Sequence, residues 1–333
     1  MRIIPASVGL YPLIETTSQI DLTKRIEECG RVCYKSEDKI TEDSCVKFVG
    51  NIIKRGHEAV LEHASIIVKM SYGEYTHLQR IINELEERGK FIFTSYLRFT
   101  DSPTGRSIVS GNVRAWRDVA KALSCNKRMF PGCFCVILQA YPDLFPEYTS
   151  TLCHLDSPFF PARIIHPDDL VTDTERLVHI DRTVKFICDR GVSHEIVRHR
   201  PASYCQESTR YCNYSGAKFG EEITVIDPAA LNLGRNAYAH WEWGCKCGEK
   251  AYFQMLANGA TAQAARSVLP NSLKTEVMMT VTNSEWRHFS TLRCSPAAHP
   301  QMQEVAKLSL KALAYNTDKL FDDIYAEVFG DGN

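Results

Sequence analysis

The stretch Ser193–Tyr211, SHEIVRHRPASYCQESTRY, decides how the rest of the chain is read. Arg198, His199 and Arg200 are consecutive and Pro201 follows them. Proline disfavours the helical region for the residue before it. The three basic side chains therefore sit at the end of an element and cannot share one helix face. Such a cluster can clamp anionic oxygens from several directions, because guanidinium forks match phosphate and carboxylate geometry. Gln206, Glu207, Ser208 and Arg210 follow within twelve residues of Arg198. They add an amide, a carboxylate, a hydroxyl and a further guanidinium. That set suits a nucleotide, whose phosphate needs Arg and whose pyrimidine ring needs paired donors and acceptors. An Arg-His-Arg triplet by itself reads as a solvated basic patch.

Outward from this stretch, Thr183–Cys188 reads as a strand, Asp189-Arg190-Gly191 as a turn, and Val192–His199 as a helical turn. Upstream, Leu22, Ile26, Cys29 and Cys33 recur at helical spacing, with Asp21 as a candidate N-cap. A helix is expected over Thr41–Arg55, ended by Gly56. Ser65–Tyr72 reads as a strand, Tyr75–Arg88 as a helix, Phe91–Phe99 as a strand and Asn112–Leu123 as a helix. Residues 125–174 are rich in Pro, Cys and aromatics without a clean period, and read as an irregular elaboration. Downstream, Trp241–Leu256 and Thr261–Val268 read as helices, Thr275–Val281 as a strand, Asn283–Leu292 as a helix and Gln301–Phe329 as one long helix. Strands and helices mix without regular βαβ alternation. The expected class is α+β, a mixed or antiparallel sheet flanked by helices. One domain is expected over 1–333, with an insertion or elaboration at about 71–178. A short internal echo links GNVRAWRDV (Gly111–Val119) and TNSEWRHFS (Thr282–Ser290), each centred on a Trp-Arg pair. Chance similarity explains nine residues equally well.

The chain has 333 residues, 44% of them hydrophobic, enough to bury a sizeable core. Thirty-nine Lys and Arg offset forty Asp and Glu, so no bulk pull toward nucleic acid or membranes is expected. Thirteen cysteines at irregular spacing suggest free or buried thiols in a reducing, cytoplasmic compartment. No apolar run approaches the roughly 20 residues of a membrane helix. The glycine loops GxGxxG and GxxxxGK[ST] are both missing from the sequence. The Cys-x-Cys pairs at Cys133–Cys135 and Cys245–Cys247 are too tight for a structural zinc knuckle, and no metal site is expected.

The string RHRPASYCQESTRY (Arg198–Tyr211) closely resembles the signature of the flavin-dependent thymidylate synthases, RHR, seven residues, Ser, then Arg-Tyr. Three further segments resemble the family in the same order: HEAVLEH (His57–His63), ARSVLP (Ala265–Pro270) and TNSEWRHFSTLR (Thr282–Arg293). The resemblance implies a flavoenzyme that methylates dUMP to dTMP, with FAD as cofactor and NADPH and methylenetetrahydrofolate as co-substrates. It also implies a homotetramer whose active sites are shared between subunits. By the same resemblance Arg198, His199, Arg200 and His288 contact FAD. Ala59 takes the place usually held by Ser or Thr in a loop that reaches the flavin from a neighbouring chain. Glu195, Gln206, Ser208, Arg210, Arg266 and Arg293 would hold dUMP. Arg210 and Arg266 are the candidates for the 5′-phosphate. Arg293 is placed to help the uracil ionise, and Arg293 and Ser208 are the candidate catalytic residues.

The sequence departs from the family pattern at one helix start, where some members show Asn-x-Arg and this chain has Thr282 and Ser284. The same pattern does occur at Asn112 and Arg114, so the upstream helix is expected to supply those groups. Ser208 needs a positioned base to act as a nucleophile, and a role in binding the nucleotide is the simpler one. Cys205 lies inside the motif, but the family pattern does not require it. Two rival classes stay open on the residues alone. One is a nucleotide- or RNA-binding protein, with Tyr204, Tyr211 and Tyr214 interleaving the basic cluster as stacking platforms. The other is a zinc hydrolase, although neither HExxH nor CxxC occurs.

Overall fold

A computed structural model describes residues 1–87, 96–101, 107–125, 130–149, 162–210, 212–216 and 220–330. Its strands are β1 (Arg2–Ile4), β2 (Ser7–Leu10), β3 (Ser65–Met70), β4 (Leu97–Thr100), β5 (Ser107–Asn112), β6 (Arg163–Ile164), β7 (Asp181–Asp189), β8 (Ser203–Gln206), β9 (Thr224–Ile226) and β10 (Lys274–Thr282). Its helices are α1 (Gln19–Val32), α2 (Ser44–Lys54), α3 (Tyr72–Glu87), α4 (Val113–Cys125), α5 (Gly132–Ala140) and α6 (Asp173–His179). They continue with α7 (Arg190–Ile196), α8 (Arg235–Ala257), α9 (Ala262–Ala265), α10 (Asn283–Arg293), α11 (Pro300–Tyr315) and α12 (Asp322–Phe329).

Val277, Met279 and Val281 alternate along β10 with Glu276, Met278 and Thr280, so the strand offers an apolar set to one face and a mixed set to the other. One set packs under α10, α11 and α12, in a core that includes Trp286, Phe289, Met302 and Phe321. Met278, on the other face, meets Cys29 and Val32 of α1. Around β10 the order is β2-β7-β10-β8, antiparallel throughout. A second antiparallel sheet, β4-β5-β3-β6, backs onto the largest core, which includes Ile26, Leu78, Trp116 and Phe134. A short parallel pair, β1-β9, completes the set. The fold is α+β with antiparallel sheets flanked by helices.

Several local expectations need correction. Ser18, not Asp21, caps α1, accepting from the Asp21 N–H. Gly56 does close α2, at a φ of +69° that favours glycine. The long helix expected over Gln301–Phe329 is two helices. The chain turns between them through Asp318 and Lys319, both at positive φ. The stretch 125–174 is not uniformly irregular, because α5 and β6 lie within it. The strand expected over Phe91–Phe99 begins at Leu97, and residues 91–95 lie outside the described residues. β5 and β8 went unread. β8 occupies the signature itself, because Pro201 ends the helical turn and releases the chain into pairing with β10.

Candidate functional site

The basic triplet is presented as expected, past the end of α7. Arg198 and Arg200 are exposed and His199 is buried between them. Tyr204 anchors this turn, donating its hydroxyl to the carbonyls of Ile196 (2.8 Å) and His199 (2.9 Å). Its ring also lies 5.5 Å beneath the Arg200 guanidinium.

His199 stacks on α10. Its ring centroid is 5.5 Å from that of His288 and 5.4 Å from that of Phe289. Burial, reinforced by His288 and Arg293, brings the His199 imidazole down to about 4. It is therefore neutral at physiological pH. Glu285 Oε2 stands 3.3 Å from Nε2, yet the geometry makes no hydrogen bond, and a neutral ring makes no ion pair. Arg293, at the end of α10, donates Nη2 to the Glu195 carbonyl at 3.3 Å and sits 3.9 Å from the Glu195 carboxylate. Its Nε is buried without a hydrogen-bond partner in the chain. α10 starts where it does because Thr282 Oγ1 accepts the Glu285 N–H at 3.1 Å.

A second group lies across α7. Gln206 donates to Ser193 at 2.9 Å and to Thr275 at 3.2 Å. Ser208 donates its N–H to the Cys33 carbonyl at 3.1 Å and accepts the Arg210 N–H on Oγ at 3.3 Å. Arg266 reaches Thr209 Oγ1 at 3.4 Å, which joins the ARSVLP segment to the signature. Arg210 and Arg266 are otherwise exposed. Tyr211 lies outside the described residues. Cys205 is buried, and its hydrogen bond to Cys33, together with that burial, raises its thiol well above the ordinary range.

An ion cluster beneath this group was not foreseen. Glu276 meets Lys35, Lys185 and Lys274, and Lys274 also holds Glu207 at 2.8 Å. Burial would raise the Glu276 carboxyl, but the three ammonium groups outweigh it and hold it at about 2. Lys274 and Glu276 share one strand face by the period of two, the one sign the sequence offered. Lys35 and Lys185 arrive from elements distant in sequence.

Ala59 is exposed on the turn Glu58–His63, and His63 within that turn binds Thr280 of β10 at 2.7 Å. Asn112 caps α4, accepting the Ala115 N–H at 2.8 Å, and Arg114 is held by Glu62 at 2.6 Å. A cleft of about 200 Å³ brings Asn112 together with Thr282 and Ser284, along with Glu62, Tyr96 and Glu285. The two candidate helix starts thus face one space. Among the described residues no group of three or more His, Cys, Asp or Glu gathers to hold a metal, and no helix is long and apolar enough to cross a membrane.

Residues 173–315 match the family model of Thy1, thymidylate synthase complementing protein. The chain is similar to the flavin-dependent thymidylate synthase of Pyrococcus abyssi, 32% identical over 127 residues, or 38% of this chain and 51% of that protein. It is similar to the one from Geobacter sulfurreducens, 31% identical over 142 residues, or 43% and 56% of the two chains. A third, from Corynebacterium aurimucosum, is 32% identical over 152 residues, or 43% and 61%. The chain thus spans about half to three-fifths of the length of these curated relatives.

Proposed function

We propose that this chain, from its Thy1 segment, is a flavin-dependent thymidylate synthase converting dUMP to dTMP, with methylenetetrahydrofolate as carbon donor and NADPH as reductant. The observation that carries the reading is the packing of His199 against His288, beside Arg293 and between two exposed arginines. His199 Nε2 and Arg293 Nε are buried without a hydrogen-bond partner in the chain. Unpaired buried nitrogens are costly, and ligand oxygens or ring nitrogens would meet that demand. The demand at His199 fits FAD, and the demand at Arg293 fits the nucleotide beside it.

Arg198, His199, Arg200 and His288 would hold the flavin, which supplies the redox chemistry. Neutral His199 can orient a ring edge without adding charge. Arg198 and Arg200 would offer their charge to the cofactor's anionic oxygens. Gln206 and Ser208 would address the nucleotide, with Arg210 and Arg266 on its phosphate. Arg293, steadied by Glu195, would stabilise negative charge on the uracil, which matters most where water is excluded. Ser208 acts here as a binding group. Ala59 has no hydroxyl, so any flavin contact from its loop is through backbone. The expected homotetramer is part of the proposal, because exposed Arg198, Arg210 and Arg266 leave room for neighbouring chains. A cytoplasmic setting goes with it.

The test is tritium release from C5-labelled dUMP with NADPH and methylenetetrahydrofolate, before and after the flavin is stripped. Release that stops on stripping and returns with added FAD is expected. A purified protein that neither takes up flavin nor releases tritium removes the reading.

A further inference from the structure

Two parts of the chain build the same unit. β3 and β7 each run antiparallel to the strand that leads into a helix, β5 before α4 and β10 before α10. β4 and β8 flank those strands on the other side. Four residues past each strand's end stands a fully buried tryptophan, Trp116 or Trp286. Trp116 donates its indole N–H to the Ile66 carbonyl at 3.3 Å, and Trp286 donates to the Arg182 carbonyl at 3.0 Å. Ile66 pairs with Gly111 and Arg182 with Val281, in each case the last residue but one of the strand. The next residue is arginine in both units. Arg117 donates to the Leu144 carbonyl and grips Glu147 with both Nη atoms. Arg287 donates to the Leu320 carbonyl and grips Asp323 in the same way. Both acceptors lie in a Leu-Phe-x-acid run, Leu144–Glu147 and Leu320–Asp323. The nine-residue echo is thus the visible part of a longer correspondence.

The units meet reciprocally. His63, two residues before β3, binds Thr280 of β10, and His179, two residues before β7, binds Ser110 of β5 at 2.8 Å. Thr280 and Ser110 hold the same place, two residues from their strand ends. Ser65 and Asp181, the first residues of β3 and β7, hydrogen-bond to each other. The edges are exchanged as well. β2, ahead of the first unit, pairs with β7, whereas β6, ahead of the second, pairs with β3. Such i-to-j and j-to-i contact is the mark of a two-fold interface between like subunits, here formed within one chain.

Only the second unit keeps the cations. By counting along the sequence alone from the equivalence of Arg98 with Ser203, Phe93-Thr94-Ser95 stand at the positions of Arg198-His199-Arg200. The α4 and α10 positions set Leu123 against Arg293. The first unit nevertheless faces the second unit's cluster. The cleft between them takes Glu62, Tyr96, Arg98 and Asn112 from one side and Ser203 and Glu285 from the other. Burial and Glu62 raise the Tyr96 phenol, while Arg200 of the second unit and Arg114 of the first both act to lower it.

We infer that the chain is a fused, edge-exchanged pair of one unit, in which the first has given up its own anion site and completes that of the second. Each chain then supplies two walls of one flavin site from its own units, with Arg114 and Tyr96 on one wall and His199 and Arg200 on the other, and neighbouring chains of the assembly would reach only its exposed rim. The inference rests on the flavin reading above. It also accounts for most of the stretch at about 71–178, expected as an insertion, as the body of the first unit.

The test uses full-length chains. Arg114→Ala and Arg200→Ala chains with different C-terminal tags are co-expressed, mixed assemblies are isolated through both tags, and bound flavin is read by visible absorbance. Arg114→Gln, checked by circular dichroism, repeats the measurement with bulk retained. Each single variant should lose flavin, and the mixed assembly should hold no more than the mean of the two, because every site carries one lesion. A wild type that binds flavin as a monomer in solution supports the same conclusion and removes only the homotetramer from the proposal. Recovery to a substantial fraction of wild-type flavin, about half if the isolated mixed assembly is a dimer, as for an isologous site built from two chains, would overturn the inference alone. Full flavin binding by Arg114→Ala would do the same. A wild type without flavin affinity overturns the flavin reading and this inference with it.

Discussion

At the residue scale the roles proposed for Arg293 and His199 differ in kind. Arg293 is a permanent charge that Glu195 orients through its carbonyl. Removing one well-placed donor of this kind typically costs about 2.7–4 kcal/mol of barrier. Arg293→Ala should accordingly lower kcat for tritium release by about 10²–10³-fold with bound flavin retained. An unchanged kcat would take Arg293 out of the chemistry. Cys205 makes the opposite case. Its thiol is held protonated by burial and by its bond to Cys33, a poor state for attack. Cys205→Ser should keep most turnover, and complete loss with flavin still bound would make it the nucleophile.

At the scale of elements, β10 is the spine, and Glu276 is its most exposed dependence. One carboxylate there answers three ammonium groups in a nearly closed environment. Breaking a buried pair from one side costs roughly 3–5 kcal/mol. Glu276→Gln should lower the urea midpoint accordingly, and a shift within experimental scatter would show that water already screens the cluster. This cluster also marks the limit of what the sequence disclosed. β10, α2, α4 and α10 were legible because each shows its own period and end signal. β8 was not, since four residues inside a conspicuous motif leave no room for a period. The break between α11 and α12 was hidden because apolar spacing continues through Asp318 and Lys319, where only the backbone turns. Within the site, the signature and the ARSVLP segment were readable as pieces. The contact between Arg266 and Thr209, and the approach of Asn112 to Thr282, depend on how sheets stack, which local pattern does not record.

At the scale of the whole molecule, three imidazoles among the described residues are held neutral in the interior. Burial first, and nearby cations after it, bring His63 to about 3 and His179 and His199 to about 4. An unfolded chain would protonate these groups near their ordinary value of 6.5, whereas the native state resists until far lower pH. Stability present at neutral pH should therefore be lost as pH falls from 6.5 toward 4. Denaturation midpoints across that window should decline steadily, and a flat profile would mean these rings are charged or solvated. His63 and His179 occupy matching places where the two units meet, so acid would loosen that seam from both sides at once. The exchanged β2 makes the opening residues a structural clasp. It supplies the outer row of hydrogen bonds to β7, a strand far away in sequence. Shortening the chain past Leu10 would bare a long strand margin that strands from other molecules can join. Such a truncated protein should precipitate on expression even though every residue proposed for the chemistry is still in it.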